Sequence, residues 1–183
     1  MIIKPLNSFY LINSIENYKF HNKIILDLIE RTTKSKFDDI TYTDWDISPD
    51  IHRPYLDYFV NLIKPQLDKI TTFLNFKECN LLNTWFQQYY TNDLHNWHHH
   101  ANCNFTNVYY VELPDPNYKT ELYDIINNSV IQLDVKEGDI VTFPSYINHR
   151  SKENLSDKRK TVISFNVNFD ITDIEKINST LTN

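Results

Sequence analysis

Three consecutive histidines, His98, His99 and His100, follow Trp97, and His149 closes the segment Phe143-Pro144-Ser145-Tyr146-Ile147-Asn148 about fifty residues later. Along a strand, side chains alternate between faces, so His98 and His100 point the same way and His99 points away. A pair at i and i+2 plus a distant third imidazole can cover one face of a metal ion. Iron, zinc and copper all accept imidazole, and the positions that three ligands leave open are where chemistry occurs. Four of the seven histidines fall within 95–100. His95 precedes the pair and His99 opposes it, so neither is a first choice as ligand. The pattern predicts a mononuclear metal site made by His98, His100 and His149.

A β scaffold must position these rings, and the chain has the material for one. It has 183 residues, 41% hydrophobic and 14% aromatic, enough for a single domain with an ordinary core and far from disordered composition. Residues 1–12 alternate weakly, as an opening strand would. Ile24, Ile25, Leu28 and Ile29 give a short amphipathic helix over 22–31. Pro54 opens a second helix, with apolar residues recurring at three and four from Tyr55 to Leu74, and Pro65 is expected to kink or interrupt it. From residue 78 the pattern becomes short aromatic and β-branched runs, predicting strands at 80–89, 96–100, 105–113, 129–134, 140–143 and 161–169. Residues 1–77 then form helical support with an opening strand, and 78–170 a β core. The fold class is α+β, mainly β, with a curled or barrel-like sheet.

The chain has one glycine, Gly138, so Asn, Asp and Ser must take most turn positions. Lys136-Glu137-Gly138-Asp139 reads as a tight turn in which Gly138 supplies a positive φ. A formal charge of -6 disfavours nucleic acid as a partner, because nonspecific grip on phosphates needs clustered Lys and Arg. The mixed stretch from Lys152 to Lys160 reads as a solvated loop. Two cysteines without short spacing argue against a disulfide framework, and Cys103 is expected to be a small buried side chain. No signal-peptide pattern or membrane span is expected, which points to a reducing cytoplasm that also suits ferrous iron.

Trp97-His98-His99-His100, Val108-Tyr109-Tyr110-Val111, Glu137-Gly138-Asp139-Ile140-Val141-Thr142-Phe143-Pro144-Ser145, His149 and Ile163-Ser164-Phe165-Asn166 occur in an order that resembles the Fe(II)/2-oxoglutarate-dependent dioxygenases. The resemblance covers about 79–169 and is nearest to small prolyl-hydroxylase-like members, including those carried by phages. It implies a double-stranded β-helix (jelly-roll, cupin-like) with flanking N-terminal helices, Fe(II), 2-oxoglutarate as cosubstrate and O2, with ascorbate a further candidate. In that family an acid follows the first His by two positions. Here His100 stands there, leaving three neutral ligands and a more positive site.

The resemblance also calls for a cation on the last strand to hold the distal carboxylate of 2-oxoglutarate. Alternation separates two candidates. Lys160 shares a face with Val162, Ser164 and Asn166, a largely polar set, whereas Arg159 shares one with Thr161, Ile163, Phe165 and Val167. Lys160 is therefore preferred. Tyr110 and Tyr89 resemble pocket tyrosines of the family, while Asn83 and Asn166 are candidates for orienting ligands and Ser164 for lining the cosubstrate pocket. Trp85 and Trp97 read as packing residues at its border. Hydroxylation of an organic substrate, with a prolyl or other peptide side chain favoured, is the implied activity, and loops near 36–52, 90–96 and 114–120 would shape the entrance. Two rivals stand beside it: a three-histidine cupin-like enzyme that uses no 2-oxoglutarate, and a noncatalytic metal-binding jelly-roll.

Overall fold

The structure, a computed structural model, describes residues 8–37 and 40–172. The first residues of the expected opening strand lie outside these, and the strand described there is β1 (Leu11–Ser14). Helix α1 (Tyr18–Glu30) starts earlier than its apolar spacing, because the Asn17 carbonyl accepts the N–H groups of Phe20 and His21. Helix α2 (Pro54–Phe73) runs on through Pro65 without interruption. Proline removes the N–H that would bond the Asn61 carbonyl, but both residues are exposed, so water can satisfy that oxygen.

The strands form two antiparallel sheets. The larger contains, in spatial order, β1, β9 (Asp139–Pro144), β6 (Phe105–Glu112), β11 (Lys160–Thr172), β4 (Phe76–Tyr89), β3 (Thr41–Thr43) and β2 (Ser35–Phe37). The smaller contains β5 (His95–His98), β10 (His149–Ser151), β7 (Thr120–Asp124) and β8 (Ser129–Gln132). Together they form the double-stranded β-helix, with both helices outside the larger sheet. Strand β5 stops at His98, so strand alternation alone does not orient His100. The short strands β2, β3, β7 and β10 were not foreseen, since three to five residues carry too little periodicity to register.

Period-two alternation gives the larger sheet two different faces. Phe86, Tyr109, Ile163, Phe165 and Val167 pack with Ile25, Ile29, Tyr55, Phe59 and Ile63 under the helices. Tyr89, Val108, Tyr110, Val141, Phe143 and Val162 face inward and form a second core with Leu122 of the smaller sheet and Leu133 just beyond it. Helix α1 is pinned by Asn22, whose Nδ2 donates to the Val111 carbonyl at 2.8 Å while its Oδ1 accepts from the Tyr109 hydroxyl at 2.5 Å. Behind β4, the fully buried Asp44 accepts from the Tyr55 hydroxyl and the Phe86 N–H at 2.7 and 2.9 Å, tying the segment after β3 to α2 and the sheet.

Scarcity of glycine is met as expected: the non-glycine residues with positive φ among those described, Asn17, Asn75, Asn92, Asn102 and Asn128, are all asparagine. Gly138 has φ 85°, and a Cβ there would stand 2.3 Å from Cγ of Tyr18. Its N–H donates to the Tyr110 carbonyl and its carbonyl accepts from Ile15, so the turn cannot simply move away. Gly138→Ala is expected to cost about 2–3 kcal/mol, from the left-handed backbone plus overpacking against Tyr18. Urea unfolding with an unchanged slope and a lower midpoint would show it.

Candidate metal centre

His98 ends β5, and His149 opens β10 directly opposite it in register. His100 lies just beyond the strand, where its N–H donates to the Ser145 carbonyl at 3.0 Å. Ser145 in turn bonds back across the turn, donating its N–H to the Asn104 carbonyl, while Asn102 adopts φ 62°. This bracing, rather than strand alternation, returns His100 to the side of His98. One ring nitrogen of each of His98, His100 and His149 lies within 4.8 Å of the others.

Each ring is held in a defined tautomer. Nδ1 of His98 is 2.7 Å from the Asn96 carbonyl, and Nδ1 of His149 is 3.0 Å from the Ile147 carbonyl. A carbonyl can only accept, so both nitrogens carry the proton. Nδ1 of His100 lies 2.7 Å from Oδ1 of Asn166, with Thr106 Oγ1 at 2.9 Å and itself donating to the same Oδ1. Asn166 and Thr106 are cross-strand partners on β11 and β6. All three lone pairs are thereby left on Nε2, the arrangement in which outer partners orient metal-bound imidazoles. Burial lowers the pKa of all three, of His149 most, which favours the neutral ligand form. The donor set fits a divalent transition metal with open positions.

Behind the imidazoles is a narrow recess of about 20 Å³, walled by Trp85, Gln87, Tyr89, Val108, Thr120, Ser151, Lys160 and Ser164 among others. Lys160 is 2% exposed, its Nζ donates to Ser151 Oγ at 2.8 Å and it stands 4.8 Å from the centre of the Tyr89 ring. Burial lowers its pKa to about 7, partly opposed by Glu121. Arg159 is on the other side, bonded to Glu112 at 2.8 Å and Glu30 at 2.5 Å. In front of the imidazoles lies an outer cavity of about 470 Å³, whose walls include Thr41, Thr43, Trp45, Leu82, Asn83, Trp85, Asn102 and Cys103.

The remaining sequence candidates fall in different places. Tyr89 and Ser164 line the recess, with Ser164 Oγ donating to Gln87 Oε1 at 3.3 Å. Tyr110 is fully buried behind it, its hydroxyl accepting from the Thr120 N–H at 3.2 Å. Asn83 is exposed on the outer cavity wall, and His99 lines the same cavity. Trp85 borders both spaces, whereas Trp97 lines neither and stacks on Arg150 at 4.5 Å. Cys103 is half-buried rather than fully buried, because the turn after His100 leaves it on the cavity rim. Residues not anticipated are Thr106, Gln87, Ser151, Trp45 and the pair Thr41 and Thr43. Gln87 shares a face with Trp85 and Tyr89, a signal that places it inside. Thr106 is on the readable strand β6 but its type gives no sign of a role, and Thr41, Thr43, Trp45 and Ser151 are on or beside strands too short to show a period.

No protein-family profile and no curated protein matches the sequence. Solved structures match the fold. An oxidoreductase of the 2OG-Fe(II) oxygenase family from Burkholderia pseudomallei superposes with a TM-score of 0.72 at 9% identity, covering 89% of this chain and 85% of the other. A Trichoplax adhaerens prolyl hydroxylase in complex with a hypoxia-inducible-factor peptide gives 0.66 at 14% identity, covering 93% and 86%. HygX from Streptomyces hygroscopicus, bound to nickel, 2-oxoglutarate and hygromycin B, gives 0.69 at 11% identity, covering 89% and 84%. The chain therefore shares the fold of the Fe(II)/2-oxoglutarate oxygenases.

His98→Ala, His100→Ala and His149→Ala should each abolish stoichiometric Co(II) binding in calorimetry, while His99→Ala retains it. Asn166→Leu, which removes the acceptor for His100 Nδ1, should weaken binding about 10- to 100-fold.

Proposed function

We propose that this protein is an Fe(II)- and 2-oxoglutarate-dependent oxygenase that hydroxylates an organic substrate. The observation that carries this reading is the placing of three Nε2 lone pairs between a buried lysine on one side and an open cavity on the other. His98, His100 and His149 would hold the metal, and Lys160 would pair with the distal carboxylate of the cosubstrate. Loaded in this way, the site would supply oxidative decarboxylation of 2-oxoglutarate by O2 coupled to oxygen insertion into a C–H bond.

The chain's own residues set the terms of that chemistry. Asn166, Thr106 and the carbonyls of Asn96 and Ile147 keep the imidazoles oriented before any ion arrives, so little reorganisation is needed on binding. Lys160 offers a point charge instead of the bidentate fork of an arginine, and Ser151 and Tyr89 supply hydroxyls beside it. The low exposure of Lys160 and Tyr89 strengthens an ionic contact there by excluding water. Ascorbate would act as an auxiliary reductant.

The outer cavity would take the primary substrate. Its walls carry indoles, amides and hydroxyls, and among the described lining residues the titratable side chains are histidines and Cys103. This lining suits an uncharged group, such as a prolyl or other peptide side chain. Two cysteines without short spacing accord with a cytoplasmic location, and no helix among the described residues is long and apolar enough to cross a membrane.

That no carboxylate joins the cluster among the described residues favours one rival, a three-histidine cupin-like enzyme that needs no 2-oxoglutarate. Anaerobic addition of Fe(II) and 2-oxoglutarate should give a weak visible charge-transfer band, lost in His98→Ala. Lys160→Ala should raise the concentration of 2-oxoglutarate needed for half of that band about 100-fold, in line with removal of a charge-assisted contact of about 2–3 kcal/mol. An iron-loaded protein with no band, and O2 consumption indifferent to Lys160→Ala, would point to the rival instead.

A further inference from the structure

His95 lines both the recess and the outer cavity, and the chemistry proposed above gives it no part. Its ring lies parallel to that of His98, with centroids 3.9 Å apart and planes 17° from parallel. Nδ1 of His95 is 3.2 Å from Gln87 Nε2, while Gln87 Oε1 accepts from the Ser164 hydroxyl. Gln87 and Ser164 thus form a short polar chain that anchors the His95 ring at Nδ1. His95 stands outside the cluster of His98, His100 and His149.

The recess between the imidazoles and Lys160 has room for about one water molecule. A five-carbon dicarboxylate reaching from the metal face to Lys160 needs several times that space. Something in the lining has to yield. Lys160, Tyr89 and His149 are at most 4% exposed, and His98 and His100 are the proposed ligands. Trp85 is buried against Trp45 and His100. His95 is half-buried, is held by one hydrogen bond and one stack, and has the open outer cavity on its other side.

We propose that the His95 imidazole is a displaceable plug, which must leave its stack on His98 and its bond to Gln87 before an anionic cosubstrate can reach Lys160. This rests on reading the site as one for a metal and a dicarboxylate. The ring turns toward the outer cavity, so cosubstrate loading reshapes the space for the primary substrate and comes first. Breaking one neutral hydrogen bond and one ring stack lowers apparent cosubstrate affinity about tenfold relative to an open recess.

The test is anaerobic calorimetry on the full chain loaded with Co(II), titrated with 2-oxoglutarate. His95→Ala should bind about tenfold more tightly than wild type, and Gln87→Leu, which frees the ring, should shift the same way by less. Co(II) affinity without 2-oxoglutarate should stay within about twofold in His95→Ala, which also reports an intact site. Unchanged or weaker 2-oxoglutarate binding in His95→Ala overturns the plug, as does loss of Co(II), which would make the ring a support for His98. Failure of both wild type and His95→Ala to bind 2-oxoglutarate while holding Co(II) would overturn the dicarboxylate reading itself, and the plug with it.

Discussion

Everything at the centre of this molecule depends on where three protons sit. An imidazole in water exchanges its proton between two nitrogens, and a metal site needs that choice made before the ion arrives. Two backbone carbonyls and one amide oxygen make it here, each taking an Nδ1–H. None of the three acceptors can donate through that oxygen, so the tautomer is fixed by chemistry, not by fit. The carbonyls of Asn96, within β5, and Ile147, in the turn before β10, are each two residues before the histidine they serve. The third acceptor, Asn166, is distant in sequence and arrives through the register of β11 against β6. A pairing between residues sixty apart in the sequence, Asn166 and Thr106, therefore ends in the orientation of one ring.

That dependence explains the asymmetry of the larger sheet. One face is apolar and lies under two helices, burying Ile163, Phe165 and Val167. The other carries Lys160, Ser164 and Asn166 into the interior between the sheets, where each has a polar partner. A one-residue slip of β11 would send the lysine under the helices and a phenylalanine into the site. Its paired lengths of β4 and β6 guard against that, and Arg159 adds a lock outside through Glu112 and Glu30.

These particulars decide how much was legible in the sequence. Long elements with a clear period could be read: both helices, and the strands β4, β6, β9 and β11, whose alternation put Lys160 and Arg159 on opposite faces. His98 and His100 were paired by strand alternation, yet they meet because a turn with Asn102 at positive φ brings the chain back to Ser145. Alternation could not see that turn. Nor could it see Thr106 beside His100, since a threonine on a strand looks the same whether it faces solvent or a ligand. Tyr110 illustrates the reverse case. Its face is inward, as the pattern implies, but the hydroxyl is bonded to Thr120 and the ring stands behind the recess wall, a distinction of depth that sequence periodicity does not carry. Strands of three or four residues, β2, β3, β5 and β10, are specified by their partners more than by their own residues.

His100 is the residue whose identity most changes the physics. Its surroundings are built for a donor: Asn166 Oδ1 faces its Nδ1, and a carboxylate there would set oxygen against oxygen. Three neutral imidazoles leave a divalent ion with its full charge. Among the described residues lining the recess there is no Asp or Glu, while Lys160 adds a buried cation. Two positive centres in a space of low dielectric are costly unless an anion joins them, and burial already pulls the lysine pKa down to about 7. A dianion that bridges the ion and the lysine relieves both at once. A monoanion bound only at the metal would leave Lys160 to lose its proton or remain strained. With a metal held as proposed, that charge pattern would favour a ligand with two negative ends.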